Sequence, residues 1–225
     1  MANDQEKEAA ARASLQFVTD GQVVGLGTGS TAAYFIQLLG EKVRQGLRIR
    51  GIPTSDRSRE LALSLGIPLI TLDECQEIDV TVDGADEVDP QLRLIKGGGG
   101  ALLREKIVAS ATKQMIVVAD ASKRVERLGK FPLPVEVIKF AQALVAKRIA
   151  VMGAQVQLRA NADGSLYVTD ENNYILDCRF GEISDADGLA RELSQMPGVV
   201  EHGLFIAMAS VALFARGTEI VELRR

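Results

Sequence analysis

At 225 residues, with 47% hydrophobic and 25% charged residues, the chain has a globular balance and can bury a core without a disulfide or metal staple. Its formal net charge of −4 and lack of a long Lys/Arg run argue against a nucleic-acid binder, and no apolar stretch reaches the roughly 18 residues of a membrane span. The polar, acidic start (Met1 to Lys7) is unlike a secretory or transit peptide, and Cys75 and Cys178 are expected to be reduced thiols of a cytoplasmic protein.

Residues 5–18 are Ala-rich and helical in period, and Gln22 to Gly27 is a short apolar run ending in glycine. Residues 30–45 carry Ala33, Ile36, Leu39 and Val43 on one helical stripe. Residues 55–65 predict a further helix, capped by Ser55 or Asp56 and stopped by Gly66. The β-branched runs Ile78 to Val82 and Met115 to Ala119 predict buried parallel strands. Strands alternating with helices imply an α/β fold: a doubly wound, Rossmann-like, mostly parallel sheet.

Pro132 and Pro134 mark a change of register. A strand (Val135 to Ile138), a helix to about Met152, strands near 154–159, 165–169 and 174–180, a helix at 185–195 and a strand after Val199 follow. We read that order as the β-α-β-β-α-β unit of a smaller ferredoxin-like α+β lid. Residues 204–225 are too few for a domain and are expected to rejoin the first sheet. The predicted division is therefore 1–130 plus 204–225 as the catalytic α/β domain and 131–203 as the lid.

Three segments carry candidate chemistry. Gly25-Leu26-Gly27-Thr28-Gly29-Ser30-Thr31 lies where a strand gives way to a helix, and free N–H groups at a helix N-terminus favour an anion. The third glycine of a dinucleotide fingerprint would be residue 30, which is Ser, and the Gly-Lys-Ser/Thr of a P-loop is missing, so a small phosphorylated ligand fits better than NAD or ATP. Asp83-Gly84-Ala85-Asp86-Glu87 follows a strand at its carboxyl end, where open α/β sheets bind ligands. It suits acid–base work on sugar hydroxyls or, with Asp89, a hard cation. In Lys96-Gly97-Gly98-Gly99-Gly100, four glycines are too costly for a bare connector, and a lysine beside mobile, unshielded amides suits an oxyanion. Glu105 follows about one helical turn later, between Arg104 and Lys106; the helix N-terminus and these cations favour its ionised form, while desolvation by bound substrate pushes the other way. His202 is the only histidine and reads as structural, near a strand end, so the acids and bases are expected to be carboxylates and lysines.

Together with Ala119-Asp120-Ala121-Ser122-Lys123, Phe131-Pro132-Leu133-Pro134-Val135-Glu136-Val137 and Pro197-Gly198-Val199-Val200, these segments resemble the type A ribose-5-phosphate isomerases over about residues 5 to 206. The resemblance implies a cofactor-free aldose–ketose isomerase with no metal, at least dimeric, acting on a sugar phosphate. It implies Glu105 as the base, with Asp83, Asp86 and Lys96 as its catalytic companions. It further implies a substrate site of Thr28, Gly29, Ser30, Thr31, Asp83, Gly84, Ala85, Asp86, Lys96, Gly97, Gly98, Gly99 and Lys123, with Lys7 as a further phosphate contact. Two rival readings are a sugar-phosphate deaminase or CoA-transferase relative, and a sugar-phosphate sensor that would need neither Glu105 nor Lys96.

Overall fold

The computed structural model describes residues 2–217 and 219–225. In chain order come α1 (Ala2–Ser14), β1 (Val23–Leu26), α2 (Ser30–Arg44), β2 (Arg50–Pro53), α3 (Asp56–Ser64) and β3 (Ile78–Asp83). The short strands β4 (Glu87–Val88) and β5 (Leu94–Ile95) precede α4 (Leu102–Ser110) and β6 (Thr112–Asp120). The second half holds β7 (Leu133–Val137), α5 (Gln142–Val151), β8 (Gln155–Leu158), β9 (Tyr174–Arg179), α6 (Ala186–Ser194) and β10 (Val199–His202). Strands β11 (Leu204–Phe205), β12 (Ala209–Arg216) and β13 (Glu219–Arg224) close the chain.

Six strands form a sheet in the order β13-β12-β6-β3-β1-β2, parallel except for the β12–β13 hairpin at one edge. The period of two along β6 explains how it holds two layers. Ile116 and Val118 face a core with Phe35, Ile36 and Leu39 of α2 and Ala10 and Ala11 of α1. Met115, Val117 and Ala119 face a second core with Ala109 of α4, Leu94, Phe205 and Phe214. Burial on both faces is what makes these strands continuously apolar in sequence. Ser55 caps α3 by accepting from Ser58 N–H, and Gly66 ends that helix at φ 74°, as its sequence predicts.

A second sheet runs β10-β7-β9-β8, antiparallel throughout, with Val145 and Ile149 of α5 and Leu193 of α6 buried against Val135, Val137 and Leu176. This is the ferredoxin-like strand order. The strand expected at 165–169 is absent. Its only ladder contact is a bridge from Ala160 to Leu166. Asn161 N–H donates to Ser165 C=O and Asp163 accepts from Ser165 N–H, which closes a turn there, while Thr169 donates its hydroxyl to Glu136. Strands β12 and β13 rejoin the first sheet as expected, but β11 pairs with β5 in a separate three-stranded sheet, β11-β5-β4. Strands β2, β4 and β5 escaped the sequence reading.

Candidate active site

The carboxyl ends of the adjacent strands β1, β3 and β6 deliver three loops to one cavity of about 200 Å³. Its lining includes Lys7, Thr28, Gly29, Ser30, Thr31, Gly84, Ala85, Asp86, Lys96, Gly97, Gly98, Gly99, Glu105 and Lys123, all predicted. Asp83 is the exception: it is fully buried and lies behind Lys96. Ala119, Asp120 and Ser122 also line the cavity and were not predicted to do so, although they sit between a strand end and Lys123.

At one end, Gly29 adopts φ 101°, turns the chain into α2, and leaves that helix without a side-chain cap. The N–H groups of the first turn are therefore open to an anion, with the positive end of the helix dipole behind them. The Thr28 hydroxyl is occupied elsewhere, within 2.8 Å of both Thr54 Oγ1 and Ser55 Oγ. It secures the loop, and Ser30, Thr31, Lys123 and Lys7 remain for a ligand. Asp120 accepts from Ser122 N–H and forms the turn that carries Lys123.

At the other end, Lys96 is 2% exposed and holds a buried cluster together. Its Nζ donates to Gly84 C=O (2.5 Å) and to Glu105 Oε1 (3.2 Å), and lies 3.0 Å from Asp83 Oδ2. Asp83 Oδ1 in turn accepts from Thr28 N–H and Gly84 N–H, tying β1 to β3. Glu105 Oε2 is buried and has no hydrogen-bond partner among the described residues. Burial pushes the Glu105 carboxyl up to about 8 against the pull of Lys96, with Asp83 and Asp86 adding to the rise. Lys96 stays protonated despite its burial because Asp83 and Glu105 raise its pKa above the ordinary lysine value. Asp86 is also held above the usual carboxylate range by burial, even though it accepts from Gly98 N–H at 2.7 Å. A β-carbon on residue 98 would come within 2.5 Å of Asp86 Oδ1, so only glycine allows that approach.

Two expectations need correction. Arg104 and Lys106 do not attend Glu105, because neighbours in sequence point away from one another on a helix. Arg104 reaches Asp56, Asp170 and Glu171, and Lys106 reaches Glu201 and the backbone of His202. Burial, not a flanking cation, sets the Glu105 proton affinity. Second, Asp89 does not join Asp83 and Asp86: it accepts from the N–H groups of Gln91 and Arg93 and pairs with the Arg93 guanidinium. With Lys96 beside Asp83, no acidic trio suited to a cation exists among the described residues. On its carbonyl side the glycine loop is held by other residues: Arg159 donates to the carbonyls of Gly97 and Gly98, and Tyr167 donates to that of Gly99. No sequence signal marks these two residues.

His202 is buried, accepts from Leu204 N–H and is pushed down to about 4 by burial and Lys106, so it is neutral and structural. Both cysteines are free, and burial pushes Cys178 up to about 12. No described helix is long and apolar enough to cross a membrane.

A sequence profile of the family described as ribose 5-phosphate isomerase A (phosphoriboisomerase A) matches residues 50–219. The ribose-5-phosphate isomerase A of Parvibaculum lavamentivorans (strain DS-1) is 55% identical, the match covering 98% of this chain and 99% of the relative. That of Rhodopseudomonas palustris (strain HaA2) is 56% identical over 96% and 95%. A solved D-ribose-5-phosphate isomerase in complex with phospho-erythronic acid has a TM-score of 0.97 at 41% identity, covering 100% of both chains. The enzyme from Neisseria gonorrhoeae has a TM-score of 0.92 at 39% identity, covering 99% of this chain and 97% of its own.

Proposed function

The chain belongs to the ribose 5-phosphate isomerase A family and interconverts D-ribose 5-phosphate and D-ribulose 5-phosphate, and on that premise we propose a role for each group in the cavity. The observation that carries the assignment is the buried, unpartnered Glu105 Oε2 beside a lysine held in its charged form.

The phosphate is bound by the first turn of α2 with Ser30, Thr31, Lys123 and Lys7. Asp86 opens the furanose ring: it takes the O1 proton and delivers one to the ring oxygen. A carboxyl held above its ordinary range and lining the cavity can do both. Asp83 touches no ligand and orients Lys96. Glu105 then removes the C2 proton of the open aldehyde. The C–H pair becomes the C1=C2 bond, and the carbonyl pair moves onto O1. As Glu105 becomes neutral, Lys96 is released from that carboxylate to balance the enediolate oxygen, helped by glycine-loop amides. Glu105 returns the proton to C1 while the O2 proton passes to O1, which leaves the C2 ketone and the C1 hydroxyl. Electrons leave and return to the same substrate, so the reaction calls for no redox cofactor. The binding of phospho-erythronic acid by a solved relative supports this reading, since a carboxylate presents two oxygens in a plane as an enediolate does.

Residues 1–130 with 204–225 act as the catalytic body and 131–203 as its lid, a division supported by two main cores, the second of which the body enters through Ile95, Leu128 and Leu204. The enzyme works as a cytoplasmic homodimer. Phe140, Leu144 and Val151, which are 99%, 51% and 83% exposed along one side of α5 and the turn before it, offer an apolar surface for a second copy. Run in ²H₂O, the reaction should place solvent deuterium at C1 through exchange on Glu105, and Glu105→Gln should abolish it. Deuterium incorporation persisting in that variant would remove Glu105 from the role.

A further inference from the structure

In the glycine loop, the two ends of the Gly97–Gly98 peptide unit answer to different parts of the molecule. The Gly97 carbonyl accepts from Arg159 Nη1 at 2.9 Å, and the N–H of the same peptide, on Gly98, donates to Asp86 Oδ2 at 2.7 Å. The next carbonyl, on Gly98, accepts from the same guanidinium nitrogen at 3.3 Å, and that of Gly99 accepts from Tyr167 Oη at 3.3 Å. The N–H groups of Gly97 and Gly99, two residues that line the cavity, donate to no acceptor among the described residues.

Arg159 is itself fixed. It follows β8, and its backbone N–H donates to Ile175 C=O. Its guanidinium meets Asp177 through two parallel bonds, Nε to Oδ2 at 3.0 Å and Nη2 to Oδ1 at 2.5 Å. It also lies 5.8 Å from the centre of the Tyr167 ring. A bidentate, stacked guanidinium is held in one orientation, which a lysine ammonium cannot reproduce. Tyr167 occupies the space a β-carbon on Gly100 would need, 2.0 Å from its hydroxyl. The Gly97 carbonyl also accepts from Gly100 N–H at 3.0 Å, which closes a turn within the loop, and Arg159 and Tyr167 together supply a donor to each carbonyl of the 97–99 run.

We propose that Arg159, oriented by Asp177, is a positioning residue for the isomerisation: by holding the carbonyls of Gly97 and Gly98 it fixes Asp86 through Gly98 N–H and aims the Gly97 and Gly99 N–H groups at the developing enediolate. This rests on the proton-transfer roles given above for Asp86 and the glycine loop. Arg159 touches no reacting atom, and its effect travels through one peptide plane. A misplacement of this kind far from the chemistry can cost about 10²-fold in rate.

Arg159→Met keeps the apolar stem and deletes the guanidinium. Its kcat should fall roughly 10–100-fold, while the inhibition constant of inorganic phosphate, which reports the α2 end, stays within about twofold of wild type. Free guanidinium chloride at low millimolar concentration should restore part of kcat, and Arg159→Lys should remain impaired because one ammonium cannot replace the fork. Asp177→Asn should show a smaller loss of the same kind, and the double variant should be no worse than Arg159→Met alone, since both act through one path. A kcat for Arg159→Met within about threefold of wild type, fully additive losses in the double variant, or phosphate inhibition lost in parallel with kcat would overturn the proposal. If Arg159→Met does not fold, Asp177→Asn decides, and unchanged kcat there overturns it as well. Glu105→Gln assayed alongside keeps the two readings apart, because an active Glu105→Gln removes the base assignment and leaves guanidinium rescue of Arg159→Met to report on the loop.

Discussion

The two ends of the cavity use opposite physics on neighbouring loops. Around Ser30, Thr31, Lys123 and Lys7 the donors are backbone N–H groups and lysines that keep contact with solvent. Around Glu105, Asp83 and Lys96 every charge is buried, and two carboxylates share a single cation. An exposed site attracts a phosphate through charge that water screens. A dry site moves proton affinities by units, because the charged forms lose their hydration. Binding energy is therefore collected at one end and proton transfer tuned at the other, and the comparison can be tested by perturbing each end separately.

The largest effect is expected at the buried end. Glu105→Gln preserves shape and removes the base, so kcat should fall roughly 10²–10⁴-fold while calorimetry still detects ribose 5-phosphate binding. A variant keeping more than about a tenth of wild-type kcat would erase the distinction between the ends.

Lys123→Ala perturbs the other end. Loss of one charge-assisted contact should lower kcat/KM for ribose 5-phosphate by roughly 10–150-fold. The feeble turnover of unphosphorylated ribose should hardly change, since ribose never makes that contact. Equal losses on both substrates would place Lys123 in the chemistry instead.

The pH profile sharpens the contrast further. Glu105 must be ionised to accept the C2 proton, and burial raises its pKa to about 8. As pH falls below that midpoint the carboxylate is protonated, so kcat/KM should drop by about tenfold per pH unit. A profile flat from pH 8 down to pH 5 would mean that the base titrates in the ordinary carboxylate range and that burial does not control it.

The smallest effect is a null one. Dialysis against EDTA and assay in metal-free buffer should leave activity unchanged, because Asp89 is committed to Arg93 and Asp83 to Lys96. Loss of activity restored by Mg²⁺ would convert Asp83 and Asp86 from proton handling to metal ligation.

Much of this arrangement was written in local sequence. Helix caps and stops such as Ser55 and Gly66, the β-branched strands, the glycine-loop lysine and the acids at a strand end are features of a few consecutive residues, and backbone geometry acts over that range. The resemblance of those motifs, taken in order, to one isomerase family named the chemistry that spacing alone left open. What tertiary structure decided was which charges meet. Lys96 stands nine residues before Glu105 and Arg104 directly before it, yet of the two only Lys96 reaches its carboxylate; Arg104 leaves for Asp56 and Glu171. Arg159 meets a peptide 62 residues away. The two parts of the molecule must fold and pack before such pairs exist, and burial, which sets the proton affinity of Glu105, is a property of the packed whole.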